Sequence, residues 1–340
     1  MRMFAKRSRH IRSALCCSAI VVFVVYIAIL AWSEDFEYSI EEEEEKELQY
    51  TDEYSEEDFI KLIVSIYGKS RFLEEFCLSH DTCMDVRDEL VKRKNRTYFM
   101  RAARKYTLIL TRIPLSLPKR RTRRHTDTSK WEINFGDVTG DATSSMIEVL
   151  YDCGALKQDD EDSKAKVLSL GLGGGFLNGY MHHKFPQMSI TVVEINARTL
   201  EMARRWFGLE TDEQHEVILM DGIEYIERSV RKGRRFDYIF LDACFAKTSN
   251  HLICPNSPFL SKEIIAAMAK LLEKKGVLVV NILPRGDSRK EVLEKITSKF
   301  KRHFEFWKLR HVQGTNNYIL TLSQFEYTGL HINETSLQFE

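Results

Sequence analysis

Four short stretches combine residue types and spacings suited to holding a charged small molecule. Leu170-Gly171-Leu172-Gly173-Gly174-Gly175 follows an apolar run and leads into a stretch of helical character. Glycines at such a turn let the backbone bend sharply and approach a ligand more closely than any Cβ would permit. Alone the run is a weak signal, since Phe176 stands where a G-x-G-x-x-G pattern would carry its third glycine. Glu194 closes the apolar run ITVVE, 19 residues after Gly175. A carboxylate there can accept both hydroxyl hydrogens of a ribose. The plainer reading, a solvated strand-end acid, gives its charge no partner. Asp221-Gly222-Ile223 opens a further helix. The aspartate suits a helix N-cap and can also accept from an adenine amine, with Gly222 and Ile223 against the ring. Asp242 ends FDYIFLD at the carboxyl edge where open α/β sheets place ligands, positioned to orient a donor's charged end or an incoming amine.

The surrounding elements must bring these stretches together. From residue 165 apolar strand runs (165–171, 189–195, 215–220, 236–243, 276–283) alternate with helical stretches (to about 183, then 196–208, 221–233, 260–273, 288–300). That alternation predicts a parallel sheet of right-handed βαβ units. The ending differs. Residues 303–312 and 316–325 alternate in character around a turn containing Gly314, which predicts a hairpin and an antiparallel final strand. Upstream, 56–76 and 81–105 carry helical spacing and strong helix formers. Residues 106–115 read as a strand, with 130–135 its partner across the basic tip PKRRTRRH, and 143–152 as a helix.

These residues carry a resemblance. GLGGG, VVEIN, the helix ending Arg205-Trp206-Phe207-Gly208, DGIEYI, FDYIFLDA and Cys254-Pro255 make residues 136–325 similar to the spermidine-synthase-like branch of class I S-adenosylmethionine-dependent methyltransferases. The likeness is greatest to the C-terminal half of the methyltransferase-like 13 family, which methylates a translation elongation factor. The resemblance implies a seven-stranded Rossmann-like sheet with an antiparallel last strand. It implies S-adenosylmethionine as cofactor, held by Gly171, Gly173, Gly174, Gly175, Glu194, Ile195, Asp221, Gly222 and Ile223, with Asp242 near the reacting groups. It also implies an amine on a protein as methyl acceptor. Spermidine synthases proper carry Asp where Phe176 stands, Tyr-His-Glu-Met where Thr143-Ser144-Ser145-Met146 stands, and Ser-Ser-Asp where Ala243-Cys244-Phe245 stands. Binding and deprotonating a polyamine needs such carboxylates, so these neutral replacements argue against aminopropyl transfer. A non-catalytic nucleoside-binding or interaction domain of the same fold is the other alternative.

The chain has 340 residues, 50 Lys+Arg and 50 Asp+Glu, with 44% hydrophobic residues, enough for one large domain and something smaller. No basic excess falls in the folded part, so no nucleic-acid partner is expected. Charge is segregated at the N-terminus. Residues 1–13 form a basic tail. Residues 14–32 are 19 uncharged, mostly apolar residues, and 33–58 form a linker with 14 acids and one base, Lys46. The apolar run is long enough to span a bilayer, and its basic N-terminal flank predicts a single-pass type II anchor with the rest in the secretory lumen or outside. A cleaved signal peptide is the alternative. Residues 59–135 are expected as a helical and hairpin region, 136–325 as the methyltransferase-like domain and 326–340 as a tail. Sequons at Asn95 and Asn333 weakly favour a glycoprotein, and Cys77 with Cys83 suits either a small disulfide loop or two free thiols. His182-His183, and His251 with Cys254, lack a four-ligand spacing, so no metal site is expected. Cys153 and Cys244 have no visible base and read as inert thiols.

Overall fold

The computed structural model describes residues 53–332 apart from 94–95, 106–107, 137–140, 245–250 and 287. Contacts divide the chain into two compact units, Met1–Ile63 with Lys119–Thr126, and Val64–Pro118 with Asp127–Glu340. In the first, Tyr54 N donates to Arg121 O (2.8 Å) and Arg123–His125 forms one turn of 3₁₀ helix. Helix α1 (Glu56–Tyr67) begins at Ser55, whose hydroxyl accepts from Asp58 N. It stops well short of residue 76, because Gly68 takes a left-handed turn at φ 72° and its N–H bonds back to Val64 O.

In the larger unit, Ser70–Ser79 (β1), Thr82–Arg93 (β2), Arg96–Lys105 (β3) and Leu108–Pro114 (β4) form a four-stranded antiparallel sheet. The helix expected over 81–105 is therefore a strand pair. Its helix-forming acids and bases conceal a period of two, for Thr82, Met84, Val86 and Asp88 all turn inward. Asp88 can lie inside because Arg101 of β3 grips it with two bonds, Nε to Oδ1 at 2.8 Å and Nη2 to Oδ2 at 3.1 Å. The same guanidinium donates to Thr128 O (2.7 Å) and Trp206 O (3.1 Å). The strand expected at 130–135 reduces to a single bridge, Leu115 to Ile133, and the partner of β4 is β3. Cys77 and Cys83 are joined in a disulfide across the β1–β2 turn.

The second sheet comprises Lys166–Leu170 (β5), Ser189–Glu194 (β6), His215–Leu219 (β7), Phe236–Leu241 (β8), Leu252–Cys254 (β9), Leu272–Pro284 (β10), Phe306–His311 (β11), Tyr318–Ser323 (β12) and His331–Ile332 (β13). Its order is β13-β11-β12-β10-β8-β5-β6-β7, with β9 paired to β10. The Rossmann-like α/β arrangement stands, with β7, β6, β5, β8 and β10 parallel and β12 antiparallel to β10. The strand number does not: nine strands replace the expected seven, because β9 and β13 add short antiparallel pairings at residues that read as loop and tail.

Alternating residues build a core on each face. Val167, Val192, Phe240, Val277 and Val279 pack with helices Ala142–Asp152 (α2), Phe176–Lys184 (α3) and Ala197–Trp206 (α4). Leu168, Leu170, Ile239, Leu241 and Val280 pack with Gly222–Arg231 (α5), Lys262–Leu271 (α6) and Arg289–Lys301 (α7). Strands buried on both faces are why these segments read as continuous apolar runs.

The membrane placement needs correction. Among the described residues no helix is long and apolar enough to cross a membrane. The longest, α7, has 13 residues and so spans about 20 Å against a hydrocarbon core of about 30 Å. The run 14–32 that suggested a type II anchor lies outside the described residues, as do Asn95 and Asn333. The expectation of a single-pass protein with a lumenal or external domain is withdrawn.

Candidate functional site

Strand order sets the position of the site. From β5 the sheet proceeds through β6 and β7 on one side and through β8 and β10 on the other. The loops leaving β5 and β8 therefore part in opposite directions, and a crevice opens at their carboxyl ends. Leu170 and Leu241 are paired across that point, so Gly171 and Asp242 leave the sheet side by side. A cleft of about 1320 Å³ lies there, roomy enough for a nucleoside-sized ligand and an acceptor group.

The glycine bend begins with Gly171 at φ 99°, whose N–H donates to Val193 O (2.9 Å). A Cβ on Gly171 would fall 2.5 Å from Asp242 O, so the bend admits no side chain at its first position. Gly171 and Gly173 line the cleft. Gly174 and Gly175 are not among its lining residues: a Cβ on Gly174 would meet Thr111 Oγ1 at 2.6 Å, and Gly175 is the left-handed N-cap of α3. Phe176 does not fill the bend. It is buried between Phe135 and Tyr180, with ring centroids 6.2 Å away on each side.

Glu194 is the buried acid of the site, 8% exposed. Its Oε2 accepts from Leu172 N (3.1 Å) and its Oε1 from Asn196 N (2.8 Å), which ties the end of β6 to the glycine bend. Burial raises its carboxyl above the usual range, against the pull of these backbone donors. Besides Leu172 and Asn196, the backbone of Ile195 donates to it, and the side chain lines the cleft, where its oxygens can also receive a hydroxyl donor. Ile195 beside it is 69% exposed, an apolar side chain left uncovered on the same wall. Asp221 caps α5 as its position suggested, Oδ1 accepting from Ile223 N (2.7 Å) and Glu224 N (3.3 Å), and its second oxygen is uncommitted by these bonds. Gly222 and Ile223 line the wall beneath, where Phe259 leaves no room for a Cβ on Gly222 (2.8 Å).

Asp242 stands opposite. Burial pushes its carboxyl up to about 6, and the charge of Asp141 adds to the rise, while a hydrogen bond from Asn281 opposes it. Its Oδ1 accepts from Asn281 Nδ2 at 2.7 Å, and Asn281 Oδ1 in turn accepts from Asn317 Nδ2 at 2.9 Å. Sequence reasoning missed Asn281, Asn317 and Asp141, though Asn281 was visible as the lone polar residue inside VLVVNIL. It missed Leu110 and Thr111 too, because the region that supplies them read as a hairpin rather than as a wall of the cleft.

The remaining candidates lie elsewhere or are committed. Cys244 is joined to Cys254 in a disulfide, so neither sulfur is a thiol. Cys153 is buried, and burial pushes its thiol up. His182 Nε2 lies 3.1 Å from Asp212 Oδ2 and its ring 5.2 Å from that of His215, which burial holds down to about 4.

A group whose carboxyl holds its proton more tightly folded than unfolded stabilises the fold fully below the unfolded value of 3.8, and that contribution is lost as pH rises through about 6. Asp242→Asn removes the buried charge yet leaves a carbonyl for Asn281 to donate to. Thermal unfolding is expected to show the variant more stable than the native chain at pH 7.5, by about 1–3 kcal/mol, and nearly equal to it at pH 4. His215 is present in both proteins, so its own acid sensitivity cancels in the difference. Equal melting at pH 7.5 would show that the carboxylate carries no desolvation cost.

Comparison with known proteins finds similarity to methyltransferases. Residues 152–307 match the methyltransferase small domain. The eEF1A lysine and N-terminal methyltransferase homolog of Drosophila melanogaster is 33% identical over 140 residues, 41% of this chain and 21% of that protein. The polyamine aminopropyltransferase of Vibrio vulnificus is 26% identical over 157 residues, 46% of this chain and 49% of that protein. The crystal structure of human methyltransferase-like protein 13 in complex with SAH covers 54% of this chain and 82% of its own, at 26% identity and a TM-score of 0.49. The chain spans about a fifth of the length of the eEF1A methyltransferases it matches. The similarity to methyltransferases thus falls on residues 152–307, just under half of the chain.

Proposed function

We propose that this methyltransferase domain transfers a methyl group from S-adenosylmethionine to a primary amine of a protein. The observation that carries the reading is Glu194, a buried carboxylate facing Asp242 across one cleft. The cofactor supplies a methyl group activated on a sulfonium. The chain's residues supply position. Glu194 would hold the ribose hydroxyls, Ile195 and Ile223 would cover the adenine, and Asp221 would accept from its amine. The bend at Gly171 and Gly173 leaves backbone exposed for the sugar and sulfur side.

Asp242 completes the arrangement. With its carboxyl at about 6 it is ionised at neutral pH, so it accepts an N–H of the acceptor and aims the nitrogen lone pair along the transfer line. In-line displacement at a methyl carbon needs proximity and alignment more than acid–base groups. The acceptor class is supported by the relatives, whose names specify lysine and N-terminal methylation of eEF1A, both of which are primary amines. Aminopropyl transfer is disfavoured by Phe176, Ser145 and Phe245, neutral where spermidine synthases carry carboxylates.

The full chain, incubated with methyl-labelled S-adenosylmethionine and purified eEF1A, is expected to label the protein at an amine that mass spectrometry locates. Transfer to putrescine from the decarboxylated donor, with no labelling of eEF1A or of other proteins, would overturn the reading.

A further inference from the structure

The strongest unexplained feature of the cleft is an ordered pair of asparagines behind Asp242. Asn281 sits on the central strand β10, 4% exposed, in a stretch where Val277, Leu278, Val279, Val280 and Ile282 are fully buried and apolar. A buried amide in such a place costs stability unless its polar atoms are bonded. Both of its ends are. The side-chain amide donates to Asp242 Oδ1 at 2.7 Å, and its carbonyl accepts from Asn317 Nδ2 at 2.9 Å. Three adjacent strands contribute, since Asp242 follows β8, Asn281 lies within β10 and Asn317 precedes β12.

The network fixes which way the amide points. An ionised carboxylate can only accept, so Asn281 must turn its NH₂ toward Asp242. Its carbonyl then faces away from Asp242, and Asn317 supplies the donor it needs. With the order reversed, an amide oxygen would face a carboxylate oxygen across 2.7 Å. With Asp242 ionised the arrangement is consistent in this sense only, so the amide donates to the carboxylate and stabilises its charge. It also binds Oδ1 alone and leaves Oδ2 uncommitted by Asn281.

We propose that Asn281, oriented by Asn317, is a positioning residue that holds Asp242 ionised and presents one carboxylate oxygen to the acceptor amine. The proposal rests on the reading of Asp242 as the residue facing the acceptor. It gives a reason for a polar residue in the middle of the sheet. Without the amide, a carboxylate desolvated by the cleft and repelled by Asp141 would keep its proton to higher pH and lose its capacity to accept.

Among the described residues, the charged groups sharing the cleft with Asp242 are Asp141 at the head of α2, Glu194 on β6, Asp221 at the head of α5, Asp81 in the β1–β2 turn, Lys105 and Arg112 of β3 and β4, Arg285 after β10 and Arg289 at the head of α7. None of them changes in the variants below, so a shift reports the lost hydrogen bond. The test is a carbon-13 carboxyl titration of the full chain labelled at aspartate, with the Asp242 signal assigned by its absence in Asp242→Asn. In Asn281→Ala the Asp242 midpoint is expected to rise by about one pH unit, the size of one hydrogen bond to a charged group. In Asn317→Ala, a half-buried position outside the strand that should fold readily, it is expected to rise by about half as much. The acid limb of methyl transfer should move up with the titration in each variant, whereas a purely structural role would lower the rate at all pH values alike. An unmoved midpoint in both variants overturns the inference. If the native chain methylates no amine, the proposed function falls, and the titration still decides whether Asn281 controls Asp242.

Discussion

Glu194→Ala is expected to weaken binding of S-adenosylmethionine and its demethylated product at least 1,000-fold, about 4 kcal/mol. The side chain offers its carboxylate oxygens to a vicinal diol. Two hydrogen bonds to a charged acceptor are worth about 1.5–3 kcal/mol each. Water cannot substitute well, because the carboxylate is already desolvated and held by Leu172 N and Asn196 N. The same two bonds make Glu194→Gln a severe change. A glutamine must turn its NH₂ toward one of those backbone donors, so one N–H loses its acceptor and the glycine bend loses its tie to β6. Calorimetric titration of the product into both variants measures the effect, with circular dichroism as the control for folding. A natively folded Glu194→Ala protein that binds within tenfold of the native chain would remove Glu194 from the cofactor site. Burial raises the Glu194 carboxyl, so native binding is expected to weaken on acidification sooner than an ordinary carboxylate would dictate.

The residues at the strand ends were legible because the fold converts sequence spacing into proximity. Once β5 to β8 and β10 are recognised as parallel strands, Gly171, Glu194, Asp221 and Asp242 must gather at one edge, whatever lies between them. What the sequence concealed were contacts made across strands. Asn281 and Asn317 are 36 residues apart and meet only because β10 and β12 pair antiparallel, with Ile282 opposite Tyr318. The four-stranded sheet was concealed differently. Arg101 is a good helix former, both it and Asp88 look like surface charges, and their burial as a pair becomes visible only when β2 and β3 are laid side by side, Asp88 opposite Arg101. In the glycine run, Gly171 and Gly173 lie at the cleft, whereas Gly174 and Gly175 serve packing against Thr111, Leu209 and Leu172. Four consecutive demands on backbone space look alike in one letter code.

That distinction can be measured within the bend itself. Gly171→Ala is expected to cost about 3–6 kcal/mol, a large part of the whole stability of many domains. Two effects combine. A φ of 99° lies outside the range that L side chains adopt readily, a strain of about 1–2 kcal/mol. The added carbon would also stand 2.5 Å from Asp242 O and 2.9 Å from Asp242 C. Those are backbone atoms, and they cannot rotate aside. Relief requires β5 and β8 to part at their carboxyl ends, where Asp242 N donates to Leu170 O at 2.9 Å. The parting would run into side chains packed on both faces of the sheet, a distortion of about 1–3 kcal/mol in addition to the bond lost. Gly173→Ala separates the two effects. Gly173 shares the left-handed sense at φ 55°, but the nearest atom to its added carbon would be Leu110 O at 3.9 Å. It should cost only the conformational part, about 1–2 kcal/mol, and fold. Thermal melts of the two variants are therefore expected to differ by about 5–15 °C, at 2–4 °C for each kcal/mol in a domain of this size, with Gly171→Ala melting lower. Equal melting temperatures would mean that the β5 and β8 ends are free to separate. The crevice would then be a movable joint, and Asp242 would have no fixed position from which to meet an acceptor.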